Sequence, residues 1–184
     1  WYFTSLLADC CHGVPQAPAF YESAYAWYNE ALFAQVLQRA YQQSPRDSLD
    51  ALLFGNSELP SAALTSLSSS HLPASGYAIL RSSASKAEED QRYLLLKYGP
   101  HGGGHGHPDK LNLILHAYGQ RFSPDLGTPG YGVDLFESWY RQTTCHNTVM
   151  INGCSQPEAT GRINLFRSEG AFQVADASVI WPQQ

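Results

Sequence analysis

Between Phe20 and Tyr41 apolar side chains recur at three- and four-residue steps: Ala24, Tyr25, Tyr28, Leu32, Phe33, Val36, Leu37, Ala40 and Tyr41. That spacing lines one stripe of a helix, so the stretch predicts one amphipathic helix. Pro15 and Pro18 stand where a loop would lead into it, and Ser44-Pro45 ends it. Asp47 to Phe54 predicts a further short helix. The pattern then breaks at Gly55-Asn56-Ser57, Pro60, a serine-rich run and Pro73, which together read as a linker. Beyond it the period is that of strands. Short runs at Tyr77 to Arg81, Tyr93 to Tyr98, Leu111 to Ala117, Thr148 to Ile151, Ile163 to Arg167 and Ala171 to Val174 are separated by turn residues. Gly119-Gln120, Asn152-Gly153 and Glu169-Gly170 are the expected hairpin turns. Helices first and antiparallel strands after give an α+β chain with a β-sandwich at its C-terminal side.

Composition narrows the partners. The chain has 184 residues, 43% of them hydrophobic, enough for one good core or a small helical piece joined to a β domain. The net charge is −5, and the 11 Lys and Arg are scattered. Nucleic acid is therefore excluded as a partner, because phosphate binding needs concentrated positive charge. An acidic polysaccharide stays compatible, since a few placed cations serve within an acidic protein. Apolar runs such as Leu111 to Tyr118 are strand-length and carry polar residues, so no membrane span is expected. The chain opens on Trp1-Tyr2-Phe3 and its only Met is Met150, which reads as a segment of something longer. Cys10, Cys11, Cys145 and Cys154 form no C-x-x-C pair; they are expected to be free thiols, not a zinc knuckle.

The chemistry concentrates in Tyr98-Gly-Pro-His101-Gly-Gly-Gly-His105-Gly-His107-Pro-Asp109-Lys110. Its glycines let the backbone take unusual angles and come close to a ligand. His105 and His107 share a face if the chain is extended and diverge if Gly106 turns it. Three metal readings compete. The two-zinc H-x-H-x-D-H motif finds His105, His107 and Asp109, but Lys110 stands at its last position. The facial triad of non-haem iron oxygenases finds His107, Asp109 and the later His146. A cupin-like site lacks the Glu expected after the His pair.

The longer context adds Pro124-Asp125-Leu126-Gly127-Thr128-Pro129-Gly130-Tyr131, then Trp139-Tyr140-Arg141-Gln142-Thr143-Thr144-Cys145-His146-Asn147-Thr148-Val149, then Asn152-Gly153-Cys154-Ser155-Gln156. This ordered set resembles the heparinase II/III-like polysaccharide lyases, with oligoalginate lyases and heparin or heparan exolyases as the nearest branch. Its strong form covers about a third of the chain. The resemblance implies residues 1–55 as the last helices of an incomplete α/α toroid, 56–75 as linker, and 76–184 as a β-sandwich that is itself incomplete. It implies His105 as the active-site histidine. It implies His107, Asp125 and His146 as ligands of a structural divalent metal, usually zinc, a set that suits zinc chemically. Asp109 then becomes a supporting residue. Lys110, Arg141 and His101 are candidates to meet a substrate carboxylate or face the cleft. Tyr131, Trp139 and Tyr140 are candidates to line a sugar subsite, with the sandwich core as their default place. His12, His71 and His116 have no motif around them.

The implied activity is β-elimination next to a uronic acid in alginate- or heparin-type chains. It requires a neutralised carboxylate, a base for the C5 proton and an acid for the leaving O4. In the family the remaining groups come from the toroid upstream, so the chain alone is expected to be inactive. The family also implies a periplasmic or secreted location. An oxygenase and a non-catalytic carbohydrate-binding relative are the alternatives.

Overall fold

The computed structural model describes residues 18–42, 44–59, 68–82, 90–170 and 172–181. Pro15, Cys10, Cys11, His12 and Pro60 lie outside the described residues. The chain divides into a helical unit and a unit of strands.

The helical unit has α1 (Pro18–Tyr28), α2 (Ala31–Tyr41) and α3 (Leu49–Phe54). The single helix expected over Phe20 to Tyr41 is broken at Asn29, whose φ is 50°. Asn tolerates this left-handed conformation better than most residues because its short polar side chain bonds locally. Glu30 is extended and starts α2. The apolar period runs straight through the break, which is why spacing alone does not reveal it. Tyr25, Ala34 and Leu37 form the small core between α1 and α2, with Tyr21 and Phe33 packed on it. Glu22 is fully buried within the unit and held by Arg46 at 2.7 and 2.8 Å and by the Tyr41 hydroxyl at 2.8 Å. Ser48 caps α3 by accepting from the Ala51 amide.

In the second unit β1 (Ser70–Leu72), β2 (Tyr77–Arg81), β3 (Arg92–Lys97), β4 (Asn112–Ala117) and β5 (Gln120–Ser123) form one antiparallel sheet in chain order. A second sheet pairs β6 (Arg162–Arg167) with β7 (Val174–Ser178). Four expectations change. β1 lies inside the stretch read as linker. The β4–β5 hairpin turns at Tyr118-Gly119, both with positive φ, one residue before the expected turn. Thr148 to Ile151 is not a strand. Its side chains and carbonyls serve neighbouring loops, and only an isolated bridge joins Ile151 to Cys154. The last strand begins at Val174, where Ala171 to Val174 was expected; Ala171 itself is outside the described residues.

Alternation along the strands gives the five-stranded sheet two apolar faces. Ala78, Leu94 and Leu96 meet Ile163, Phe166, Ala175 and Ala177 of the second sheet, which is the sandwich core. On the other face Tyr93, Leu95 and Ile114 cluster with Tyr77 and Ile79. Burying Leu95 and Ile114 contributes about 2 kcal/mol each. That second face continues to Lys97 and Asn112, which are cross-strand partners and so project together. They carry the sheet into the candidate site.

Candidate functional site

Asn112 is fully buried and grips two loops at once. Its side-chain amide donates to Asp125 Oδ2, and its Oδ1 accepts from the Asn147 amide at 3.1 Å. Asp125 Oδ1 accepts from the Gly127 amide at 3.1 Å, and Oδ2 meets His146 Nδ1 at 2.9 Å. The other ring nitrogen of His146, Nε2, shares a hydrogen bond with His107 Nδ1 at 3.1 Å. His107, His146 and Asp125 thus form a buried row with His146 in the middle. Burial works to raise the Asp125 carboxyl, but the hydrogen bonds and charge of His146, the Gly127 amide and Asn112 outweigh it and hold the group below the ordinary carboxylate range. Burial, helped by the Asp125 charge, pushes the Cys145 thiol up, so it stays a thiol. Cys145 and Cys154 are both free.

Asp109 lies beside this row, fully buried. Its Oδ2 accepts from Lys97 Nζ at 2.5 Å. Its Oδ1 is 3.9 Å from Lys110 Nζ and has no hydrogen-bond partner. One donor atom each from Asp109, Asp125 and His146 lie within 4.8 Å of one another. The His107 and His146 imidazoles and the Asp125 carboxylate, all buried, are a donor set that fits a divalent metal such as zinc, with the Asp109 carboxylate beside them.

A polar clasp holds the loops that carry these groups. The Gln156 side chain takes both backbone groups of Lys110: Oε1 accepts from its amide at 2.7 Å, and Nε2 donates to its carbonyl at 3.2 Å. Nε2 also donates to the Val149 carbonyl at 2.9 Å. Thr143 Oγ1 donates to the Pro108 carbonyl at 2.6 Å and accepts from the Gln156 amide at 2.8 Å. The Thr148 hydroxyl donates to the Lys110 carbonyl. The His105–Lys110 loop, the His146 loop and the Gln156 turn are therefore one hydrogen-bonded body.

His105 ends a 3₁₀ turn at Gly103–His105 and is exposed, while His107 is buried. The two imidazoles diverge across Gly106. A Cβ at Gly106 would stand 2.8 Å from the His101 ring and 2.7 Å from the Gly102 amide nitrogen, so only glycine lets the chain pass there. His105 Nδ1 and the Tyr131 hydroxyl are 2.5 Å apart, with the rings edge to face. Tyr131 is 60% exposed and not a core residue as expected. Buried Phe136 packs edge-on against both Tyr131 and His107. It opens a π turn, Phe136–Tyr140, closed by the Arg141 amide on the Phe136 carbonyl at 2.9 Å. Such turns recur at functional sites. Tyr131, Val133, Phe136, Glu137 and Ser138 line an open groove of about 550 Å³.

His107, Asp125 and His146, expected as a set, lie in one hydrogen-bonded row, whereas the donor atoms within 4.8 Å of one another are those of Asp109, Asp125 and His146. His105 stands apart from them, beside Tyr131, which lines the groove. His101 and Arg141 line a second, smaller cavity. Lys110 departs from its expected role as a substrate-carboxylate partner. It is 1% exposed, and its ammonium donates to the Pro100 carbonyl at 3.2 Å. Burial lowers its pKa, with Asp109 opposing and Lys97 reinforcing the shift. Asn112, Gln156, Thr143 and Lys97 were not singled out from the sequence, although Gln156 lies in one of its quoted motifs.

Among the described residues no helix is long and apolar enough to cross a membrane. Residues 65–182 match the family model "Heparinase II/III-like, C-terminal". The chain is 30% identical over 104 residues to a heparin-sulfate lyase of Bacteroides stercoris, which covers 54% of this chain and 15% of that protein. It is 38% identical over 69 residues to an exo-oligoalginate lyase of Saccharophagus degradans, covering 32% of this chain and 9% of that protein. A crystal structure of heparinase III matches with a TM-score of 0.69 at 16% identity, covering 96% of this chain and 26% of that one. The last likeness shows the fold, an α+β chain ending in a β-sandwich.

Proposed function

Because the chain belongs to the heparinase II/III-like C-terminal family, we propose that the protein it forms part of is a polysaccharide lyase acting by β-elimination on uronate-containing chains of the alginate or heparin and heparan sulfate type. The observation that carries the reading is the exposed His105–Tyr131 pair at the edge of an open groove, backed by a buried polar cluster. A periplasmic or secreted location goes with it.

The tautomer of His105 sets what the pair does. When Nδ1–H donates to the Tyr131 oxygen, the basic lone pair is on Nε2 and the ring can accept the C5 proton. When Tyr131 donates to Nδ1, Nε2 carries the proton and the ring can donate to the uronate carboxylate. Either way Tyr131 orients the imidazole, and its own hydroxyl is within one proton transfer of it. His107, Asp125 and His146 would hold a divalent metal, zinc by donor type, whose contribution is to pin three loops together and so aim His105. Both nitrogens of His146 hold hydrogen bonds, one to His107 and one to Asp125, and ligation by this ring would cost one of them.

The test uses the full-length protein with separate alginate and heparan oligosaccharides, following the ultraviolet absorbance of the unsaturated uronate. A rise with one substrate that His105→Ala abolishes is the expected result. Oligosaccharide binding without any rise would replace the lyase by a non-catalytic carbohydrate-binding relative.

A further inference from the structure

Gly106, the chain neighbour of His105, lines a cavity of about 210 Å³. Its walls include His101, Glu137, Arg141, Gln142, Gln156 and Glu158, and it shares Glu137 with the Tyr131 groove. Gln142 and Gln156 are engaged: Gln142 donates to the Glu137 carbonyl at 2.7 Å, and Gln156 holds Lys110. They are fixed walls. The other four side chains stand as two pairs in the cavity wall, Arg141 with Glu137 and His101 with Glu158. Both ring nitrogens of His101 are buried and make no hydrogen bond. A buried polar group that makes no hydrogen bond, lining a cavity, is the kind of exception that calls for a ligand.

The charges choose its chemistry. Arg141 lies 3.2 Å from Glu137, and His101 Nε2 lies 3.4 Å from Glu158. The Arg141 guanidinium and the His101 ring each already have a carboxylate beside them. An incoming sulfate or carboxylate would face both glutamates, and like charges at close range disfavour it. A neutral hydroxyl meets no such opposition. It donates to a glutamate and accepts from the guanidinium or from a protonated imidazole nitrogen. The volume is smaller than that of drug-sized pockets and suits about one sugar ring.

We propose that this cavity is a subsite for the uncharged hydroxyl edge of the sugar unit next to the uronate, with His101, Arg141, Glu137 and Glu158 as its contacts. The proposal rests on the lyase reading and adds to it a polar subsite that shares Glu137 with the Tyr131 groove. It makes His101 and Glu158 binding residues without a part in the proton transfers.

The experiment measures kcat and KM of the full-length protein and of His101→Phe and Glu158→Gln on whichever uronate oligosaccharide is cleaved, at low and high salt. Phe keeps the ring that packs on Gly106 and removes its nitrogens. Glu158 is 79% exposed at its side chain, so Gln there leaves the fold intact. Both variants are expected to raise KM about three- to tenfold, the loss of one or two hydrogen bonds, with a smaller change in kcat and no dependence on salt. KM within twofold of the parent in both variants overturns the subsite and leaves the lyase reading standing. A KM rise that vanishes at high salt also overturns it, because it marks an ionic site. No turnover of any uronate oligosaccharide by the unaltered protein removes the lyase reading and this proposal together.

Discussion

Gln156→Leu isolates the clasp from the chemistry, because Gln156 touches neither His105 nor the His107–His146–Asp125 row directly. Leu roughly preserves volume, so the cost is in hydrogen bonds. Three acceptors lose the Gln156 amide: the Lys110 carbonyl, the Thr148 hydroxyl and the Val149 carbonyl. The Lys110 carbonyl keeps its bond from Thr148, and Val149 is 58% exposed, so water can serve its carbonyl. The Lys110 amide is different. Lys110 is buried, and its N–H loses the 2.7 Å bond to Oε1. An orphaned buried N–H costs about 1–3 kcal/mol, and the bonds lost with it add about 1 kcal/mol, for a total of about 2–4 kcal/mol. At roughly 4 °C per kcal/mol for a unit of this size, Tm falls by about 8–16 °C. Gln156→Glu is the control. It keeps the acceptor for the Lys110 amide but points a carboxylate at two carbonyls, so it is expected to be at least as damaging. The assay is thermal unfolding of the full-length protein in chelator and in zinc, with zinc affinity from competition against a chromophoric chelator. The clasp predicts a lower Tm in chelator and a zinc affinity weakened about 10- to 100-fold, the usual effect of losing support around metal ligands. Unchanged Tm in both variants would refute the reasoning, since a buried amide cannot lose its partner without cost.

Tyr131→Phe removes the hydroxyl beside His105 Nδ1 and is expected to lower kcat roughly tenfold or more and to shift the pH–rate profile, with the fold unaffected because Tyr131 is exposed. His107→Ala is expected to release the metal, measured as metal content after dialysis; full content together with full stability would remove His107 from the ligand set. In the helical unit, Arg46→Ala strands the buried Glu22 and should cost about 3 kcal/mol, read from helix unfolding by circular dichroism. Burial raises the Glu22 carboxyl, but Arg46 and Tyr41 outweigh it and hold it below its ordinary 4.5. The stability it contributes is therefore present above 4.5 and lost as pH falls through the lowered value, and Arg46→Ala should remove that acid limb. Burial and Glu22 push Tyr41 from 10.0 up to about 12, so its contribution is complete below 10.0 and disappears as pH rises through about 12.

Which parts of this were readable follows from how far apart the partners lie. The His–Gly loop was legible because imidazoles at two-residue spacing in glycine are chemically unusual in themselves. The strands that alternate, such as Tyr77–Arg81, were legible from period alone. The break at Asn29 was not, because the apolar stripe continues across it. Asn112 and Gln156 were not, because each is an ordinary amide until folding brings it to partners 13 and 46 residues away. Tyr131 reads as core by type, yet the turn before Phe136 leaves it exposed. Lys110 reads as a surface cation, but the clasp on its backbone draws it inward. Side chains that brace a site are chosen by geometry, and only the groups that do the chemistry mark themselves by residue type.

Asp109 separates the lyase ligand set from the iron triad of His107, Asp109 and His146. By position alone it qualifies as a ligand, since its donor atom lies within 4.8 Å of those of Asp125 and His146. Its charge is already committed. Lys97 Nζ sits 2.5 Å from Oδ2, Lys110 Nζ sits 3.9 Å from Oδ1, and both lysines are buried. Sharing this one carboxylate among two ammonium groups and a divalent ion would leave the cations facing each other in a poorly screened interior, a repulsion of several kcal/mol. Asp109 is therefore expected to act as counterion to the lysines, with the metal on the other groups. Asp109→Asn makes the distinction. As a counterion, its loss leaves two buried ammonium groups unbalanced and costs about 3–5 kcal/mol even in chelator, while zinc added to the folded variant still binds. As a ligand, its loss would leave the metal-free protein as stable as before and abolish zinc binding. Thermal unfolding in chelator, read beside the metal content of the same samples, gives opposite signs for the two roles.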